Sequence, residues 1–200
     1  MKLKQLRTVF QEVARGNPNL GDIAILKADA LGARAHPDAI AKLQPVVGYH
    51  PPVDLDALMA LPEGSFGYEY AHHMRRNKLQ PFNVSPGMAA LAQENVFALR
   101  YAVTHDIFHV LLGFDTSYAG EMGVLAFAVA QDYSRLQRVG LWMATVLYPV
   151  LAPGQMRQIA RNRRRGYALG KQAKFLLGYR FEEMWERSLH EVRQELNLLD

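Results

Sequence analysis

The sequence predicts an all-α fold, a single-domain helical bundle spanning residues 1–200. Three observations carry that expectation: apolar residues recur at spacings of three and four along most of the chain, no Asn-Gly hairpin turn occurs, and no long run of β-branched residues is present. With 200 residues, 50% of them hydrophobic, the chain is long enough to close one substantial core.

Taken in order, residues 1–16 interleave charges with Leu3, Leu6, Phe10 and Val13, which reads as an amphipathic helix and not as a signal peptide. Asp22 is placed to cap a helix carrying Ile23, Leu26 and Ala30, and a short helix over residues 40–43 is expected to end before Pro45. Residues 45–52 read as a turn-rich connector. Asp54 caps a brief helix to Leu61, Pro62-Glu63-Gly64 breaks it, and Ser65 starts another through Phe66, Tyr70 and Met74. Ser85-Pro86 has the cap-then-proline form of a helix start, and Met88, Leu91, Val96, Leu99, Val103 and Phe108 extend one long central helix to Gly113. Residues 113–120 interrupt it. A second apolar helix is expected from about Glu121 through Leu125, Val129, Leu136 and Met143 toward Pro149, packed beside the first. Pro153 opens a basic helix, and a final amphipathic helix places Phe181, Trp185, Leu189, Val192 and Leu196 on one face.

Composition excludes several classes of function. With no cysteine there is no disulfide framework, no thiolate metal site and no cysteine nucleophile, so a metal here must be held by nitrogen and oxygen. The surplus of 23 basic over 19 acidic residues is small for a nucleic-acid binder, and no nucleic-acid partner is expected. The longest uncharged stretch, residues 139–156, contains Gly140, Pro149, Pro153 and Gly154, which rules out an apolar span of about 20 residues. A cytoplasmic protein, peripheral on the inner face of a membrane, is the expected location.

The residues with chemistry to offer are His105, Asp106, His109 and Glu121. Two histidines four apart on a helix lie about 40° apart around its axis, so both imidazoles reach one ion. Asp106 falls near the same face, and Glu121 arrives across a glycine-bounded loop at the start of the neighbouring helix. Imidazole favours zinc, iron, cobalt or manganese, with magnesium a lesser candidate. Ile107, Phe108, Val110, Leu111 and Leu112 surround the group with apolar side chains, where charges need a partner or a metal. The alternative reading is a set of ordinary hydrogen bonds and ion pairs fixing two helices. His72-His73 beside Arg75-Arg76 reads as exposed helix surface. Arg161, Arg164 and Arg165, with Lys171 and Lys174, form a cationic face that either is simply solvated or docks anionic lipid or a ligand phosphate.

The pattern His105-Asp106-x-x-His109, followed by eleven residues and Glu121, resembles the signature of the coenzyme Q biosynthesis protein Coq4 family. The segment Pro62-Glu63-Gly64-Ser65-Phe66-Gly67 with Tyr70, and the set Gly170, Ala173-Lys174, Trp185-Glu186, Leu189 and Arg193, are similar to further family segments. The similarity covers residues 50–198. It implies a helical protein of ubiquinone or related quinone biosynthesis, with an apolar cavity between long central helices for a polyprenylated intermediate. It also implies a divalent metal at His105, Asp106, His109 and Glu121. Members are associated with removing the ring carboxylate at carbon one, coupled to hydroxylation, and with organising other pathway enzymes. Asp106 and His109 would then be the catalytic residues. Ser188 stands where many members have proline, and the eukaryotic amino-terminal extension has no counterpart, which suits a bacterial-type member.

Two other functions compete. A non-catalytic lipid-binding scaffold would use an apolar lining drawn from Val124, Leu125, Phe127, Val129, Leu141, Met143, Val146 and Leu147, residues that serve equally well as plain core. A metal-dependent phosphohydrolase would need further ligands, for which His72, His73 and Asp132 are the candidates. Expected partners are an isoprenoid lipid, other quinone-biosynthesis enzymes, a membrane surface and a second copy in a homodimer.

Overall fold

The computed structural model describes residues 20–199; the amphipathic helix expected over residues 1–16 lies outside them. Among the described residues the fold is all-α, and the only β-type pairing is an isolated antiparallel bridge between Ser65 and Ser188. The helices are α1 (Leu20–Ala30), α2 (Pro37–Ile40), α3 (Leu55–Met59), α4 (Phe66–Arg76), α5 (Ala89–Glu94), α6 (Val96–Leu112), α7 (Tyr118–Ala130), α8 (Arg135–Leu151), α9 (Met156–Gln172) and α10 (Leu189–Glu195). No helix among them is long and apolar enough to cross a membrane.

Local chemistry sets many of the boundaries. The Asp54 carboxylate accepts from the Asp56 and Ala57 amides at the start of α3, at 2.9 and 3.1 Å. Ser65 Oγ accepts from the Tyr68 amide at the start of α4. Both satisfy amides that a helix start leaves without partners.

The structure corrects four expected boundaries. Instead of one helix from Ser85 to Gly113, the chain breaks at Asn95 (φ −114°, ψ 67°), whose side chain accepts from the Ala98 amide and donates to the Ala33 carbonyl at 2.9 Å. The second apolar helix divides at residues 131–134, where Asp132 takes φ 55° and Ser134 is extended. The short helix near Pro45 is α2 followed by a 3-10 turn, Ala41–Val46, that takes in the proline. The last helix is only α10. Trp185 lies before it in a turn, because its carbonyl and that of Arg187 accept from the Gly67 and Phe66 amides at 2.8 and 2.7 Å.

That turn joins two of the distant segments noted above. The Trp185 ring packs on Phe66 and Tyr70, with ring centroids 4.9 and 5.1 Å apart. Glycine is needed at 67, since a Cβ there would lie 2.7 Å from Leu61 Cδ1 and 3.0 Å from Trp185 Cβ.

No residue of α6 is exposed, and the helix runs through the core carrying Arg100, His105, Asp106 and His109 with it. Its last carbonyls are satisfied by arginines from elsewhere: Arg193 donates to Val110 and Leu111 at 2.8 and 2.9 Å, and Arg165 donates to Leu112 at 3.1 Å. Helix α7 packs against α9 at backbone distance. A Cβ on Gly166 would lie 2.1 Å from the Gly123 carbonyl oxygen, and one on Gly170 would lie 2.7 Å from that of Phe127. These contacts fix the register of α7 against α9.

Candidate metal centre

His105, His109 and Glu121 converge: their nearest ligand-type atoms all lie within 4.8 Å of one another. His105 Nε2 is 3.5 Å from Glu121 Oε2, and His109 Nε2 is 3.2 Å from Glu121 Oε1. The His109 side chain is fully buried; those of His105 and Glu121 are 27% and 34% exposed, so the cluster opens on one side.

The orientation of each ring follows from the chain around it. Helix α6 ends at Gly113 in the left-handed conformation (φ 66°), which only glycine adopts without strain. The turn carries Phe114 back, so that its amide donates to the His109 carbonyl at 3.1 Å. The Phe114 carbonyl in turn lies 3.2 Å from His109 Nδ1. A proton on Nδ1 makes that hydrogen bond and leaves the Nε2 lone pair aimed at Glu121. On His105, Nδ1 is 3.7 Å from Asp106 Oδ1, which likewise turns Nε2 toward the centre. Asp106 therefore sits behind His105, outside the converging set of three.

The electrostatics reflect this crowding. Burial pulls the His105 pKa down, but hydrogen bonding to Asp106 and Glu121 and their negative charges outweigh it and raise it to about 9. Burial pushes Glu121 up, and the two histidines override it, holding the carboxyl at about 2. The buried Nε2 of His109 faces Glu121 Oε1, and two such acceptors need a proton or a metal ion between them. Two imidazole nitrogens and a carboxylate oxygen, open to one side, are the donor set of a zinc-type site with a free position. The residues present fit a divalent metal.

Three further side chains complete the surroundings. His73 on α4, expected at the surface, is half-buried with its ring stacked on His109, centroids 5.8 Å apart. Burial first, and the neighbouring His109 second, lower its pKa. The signal was legible, since Phe66, Tyr70, His73 and Met74 share one helical face; His72 is exposed, stacked on Tyr68. Tyr101 lies edge-on to His105, with centroids 5.8 Å apart, and burial followed by the Glu121 charge raises its pKa. Gln137 of α8 is buried beside Tyr101. Asp132 does not reach the cluster and pairs with Arg138 at 3.0 Å.

The eight apolar residues considered for a lipid lining fall into different environments. Val124 and Phe127 are fully buried in the main core; Leu125, Val129 and Leu141 are partly buried; Met143, Val146 and Leu147 are exposed on α8. A different apolar pocket of about 290 Å³ reaches the centre, lined by Ala24, Ala28, Phe82, Phe97, Tyr101 and His105 among others. Of the cationic face, Arg161 and Arg164 are exposed, whereas Arg165 turns inward over the Phe114 ring.

Comparison with known proteins gives the following. The family model for the coenzyme Q (ubiquinone) biosynthesis protein Coq4 matches residues 29–200. The mitochondrial ubiquinone biosynthesis protein COQ4 homolog of Rattus norvegicus is 31% identical over 149 residues, covering 73% of this chain and 55% of that protein. The homologs of Homo sapiens (30% identical, 73% of this chain, 55% of that protein) and Danio rerio (31%, 73% and 54%) are similar to it in the same way. The chain thus spans about half the length of these curated relatives. A crystal structure from Nostoc punctiforme, whose given description is ubiquinone biosynthesis, superposes with a TM-score of 0.65 at 26% identity, over 96% of this chain and 88% of that one.

Proposed function

The chain belongs to the Coq4 family of coenzyme Q (ubiquinone) biosynthesis proteins, and on that premise we propose that it acts on, or presents, a polyprenylated aromatic intermediate at a divalent metal held by His105, His109 and Glu121. The observation that carries this reading is the convergence of His105, His109 and Glu121, in which His109 Nδ1 is committed to the Phe114 carbonyl and its buried Nε2 is turned to Glu121 at 3.2 Å.

In this reading each residue has a defined task. Asp106 holds His105 in the ligating orientation, as a carboxylate behind a metal-bound histidine does. The pocket walled by Ala24, Ala28, Phe82 and Phe97 accepts apolar parts of the intermediate next to His105. Tyr101 stands between that pocket and the cluster. The buried Gln137 amide stands behind Tyr101 and fixes the position of its ring. A divalent ion would supply Lewis acidity that draws electron density from a ring losing its carboxylate as carbon dioxide. The same placement serves a scaffold that holds the intermediate for other quinone-biosynthesis enzymes.

Metal analysis of the purified protein, followed by an assay for carbon dioxide release from a carboxylated prenyl-phenol, tests the proposal. A His109→Ala variant that stays folded by circular dichroism should lose both bound metal and turnover. Full turnover in that variant would remove the proposal. A metal-loaded protein that retains the prenyl-phenol without releasing carbon dioxide would establish the scaffold role.

A further inference from the structure

Helix α8 presents an apolar face to the outside of the molecule. Val139, Trp142, Met143, Val146, Leu147 and Val150 follow the three-and-four spacing of one helical face, and all are exposed, Trp142 by 69%, Val146 by 59% and Val150 by 73%. The opposite face is buried: Leu141, Ala144 and Tyr148 pack on Ala119, Met122 and Leu125 of α7. An unbroken apolar strip of this kind, on a helix that already has a buried side, marks a surface that meets something else.

The charges around the strip identify what it meets. Arg135 lies on the same face one turn before Val139, and Arg138 lies at its edge; both are exposed. Beyond the other end of α8 the chain enters α9, whose exposed Arg157 and Arg161, with Gln158 and Asn162, line an open cleft of about 580 Å³. A two-fold contact between copies would set the same patch against itself and bring arginine toward arginine. An anionic bilayer instead accepts the apolar side chains below its headgroups and the arginines among its phosphates, with tryptophan at the boundary.

We infer that α8 is an interfacial helix that seats the protein on anionic phospholipid, with the α9 arginines binding headgroups. The seat is next to the centre. The buried side of α8 packs on Ala119, Met122 and Leu125 of α7, the helix that carries Glu121. An apolar molecule dissolved in the bilayer would meet the protein on the side where that helix lies.

Sedimentation of the full chain with phosphatidylcholine vesicles, with and without phosphatidylglycerol, reads this directly and needs neither metal nor substrate. The protein should sediment with the anionic vesicles, less so as salt rises, and nitroxide-labelled lipid should quench its fluorescence unless Trp142 is replaced by Phe. The double variant Val146→Asp/Val150→Asp, altered only at exposed positions, should weaken binding by more than about a hundredfold. Arg161→Glu should weaken binding to anionic vesicles by roughly tenfold or more and leave the weak binding to neutral ones unchanged. Three results would overturn the inference: no sedimentation with anionic vesicles, binding indifferent to the aspartates, or a stable dimer that ignores vesicles and falls apart in the double variant. The last would assign the face to a second copy.

Discussion

Helix α6 buries charge at two places, and it treats them in opposite ways. Near its start, Arg100 is fully buried and both ends of its guanidinium meet acceptors. Its guanidinium donates to the Tyr49 and Tyr179 carbonyls at 2.9 and 2.8 Å and to Glu182 at 3.2 Å, and it lies over the Tyr49 ring. Little more than one turn later, His105 and His109 both aim ring nitrogens at the Glu121 carboxylate. The first arrangement ties the 3-10 turns of the carboxy-terminal region to the core. The second holds together through a proton on His105 and has room for a stronger cation. Burial and charge are common to both; what separates a staple from a site is that one cation meets its acceptors in the first, whereas three ligand-type groups converge on an open side in the second.

The largest expected effect falls on the staple. Replacing Arg100 with Leu leaves Glu182, whose side chain is only 7% exposed, as a buried charge without its counterion, and should cost about 3–5 kcal/mol in urea unfolding. The double variant Arg100→Leu/Glu182→Leu should recover most of that loss, because a well-packed apolar pair often matches a buried ion pair. At temperatures where the single variant is still folded, its metal affinity should be that of the parent. A single variant within about 1 kcal/mol of the parent would mean that Arg100 is not the structural half of the comparison.

A smaller effect is expected behind the centre. Asp106→Asn keeps the shape beside His105 but removes the carboxylate that turns the ring, and should lower metal affinity by about 10–100-fold. If Asp106 were a ligand in its own right the loss would be much larger, and if it were only surface charge there would be none. Titration with zinc or cobalt followed by spectroscopy separates the three.

How far these features could be read from the sequence varies with the range of the forces involved. Helix starts set by neighbouring side chains, at Asp54 and Ser65, were legible, as was the four-residue spacing of His105 and His109. The break at Asn95 was not, because the apolar periodicity runs straight through it and the amide is drawn out by Ala33, far away in the chain. The division between α7 and α8 escaped for the same reason. Trp185 sits on the expected apolar stripe, yet its backbone is taken by the first amides of α4. Apolar pattern alone also cannot tell Phe127, which is fully buried, from Val146, which faces outward. The convergence of Glu121 with the histidines could be anticipated. The Phe114 carbonyl that sets the His109 tautomer could not, since nothing about residue type announces a backbone acceptor.

The finest test of the comparison is the pH dependence, because the staple should be indifferent to it near neutrality and the centre should not. His105 has a pKa raised to about 9 from an ordinary 6.5, so its contribution to apo stability is complete below pH 6.5 and disappears as the pH rises through about 9. Glu121 is lowered to about 2 from 4.5, so its contribution is present above pH 4.5 and lost as the pH falls through about 2. The apo cluster is thus held most firmly between about pH 4.5 and 6.5. A metal, by contrast, needs His105 neutral, and at neutral pH must displace its proton. Metal affinity should therefore rise by about tenfold per pH unit up to about pH 9, not level off near 6.5, and binding near pH 7.5 should release about one proton. Calorimetry in buffers of different ionisation enthalpy counts that proton. A count of zero would mean that His105 is already neutral in the metal-free protein or that the metal binds elsewhere, and either would overturn the displacement of its proton.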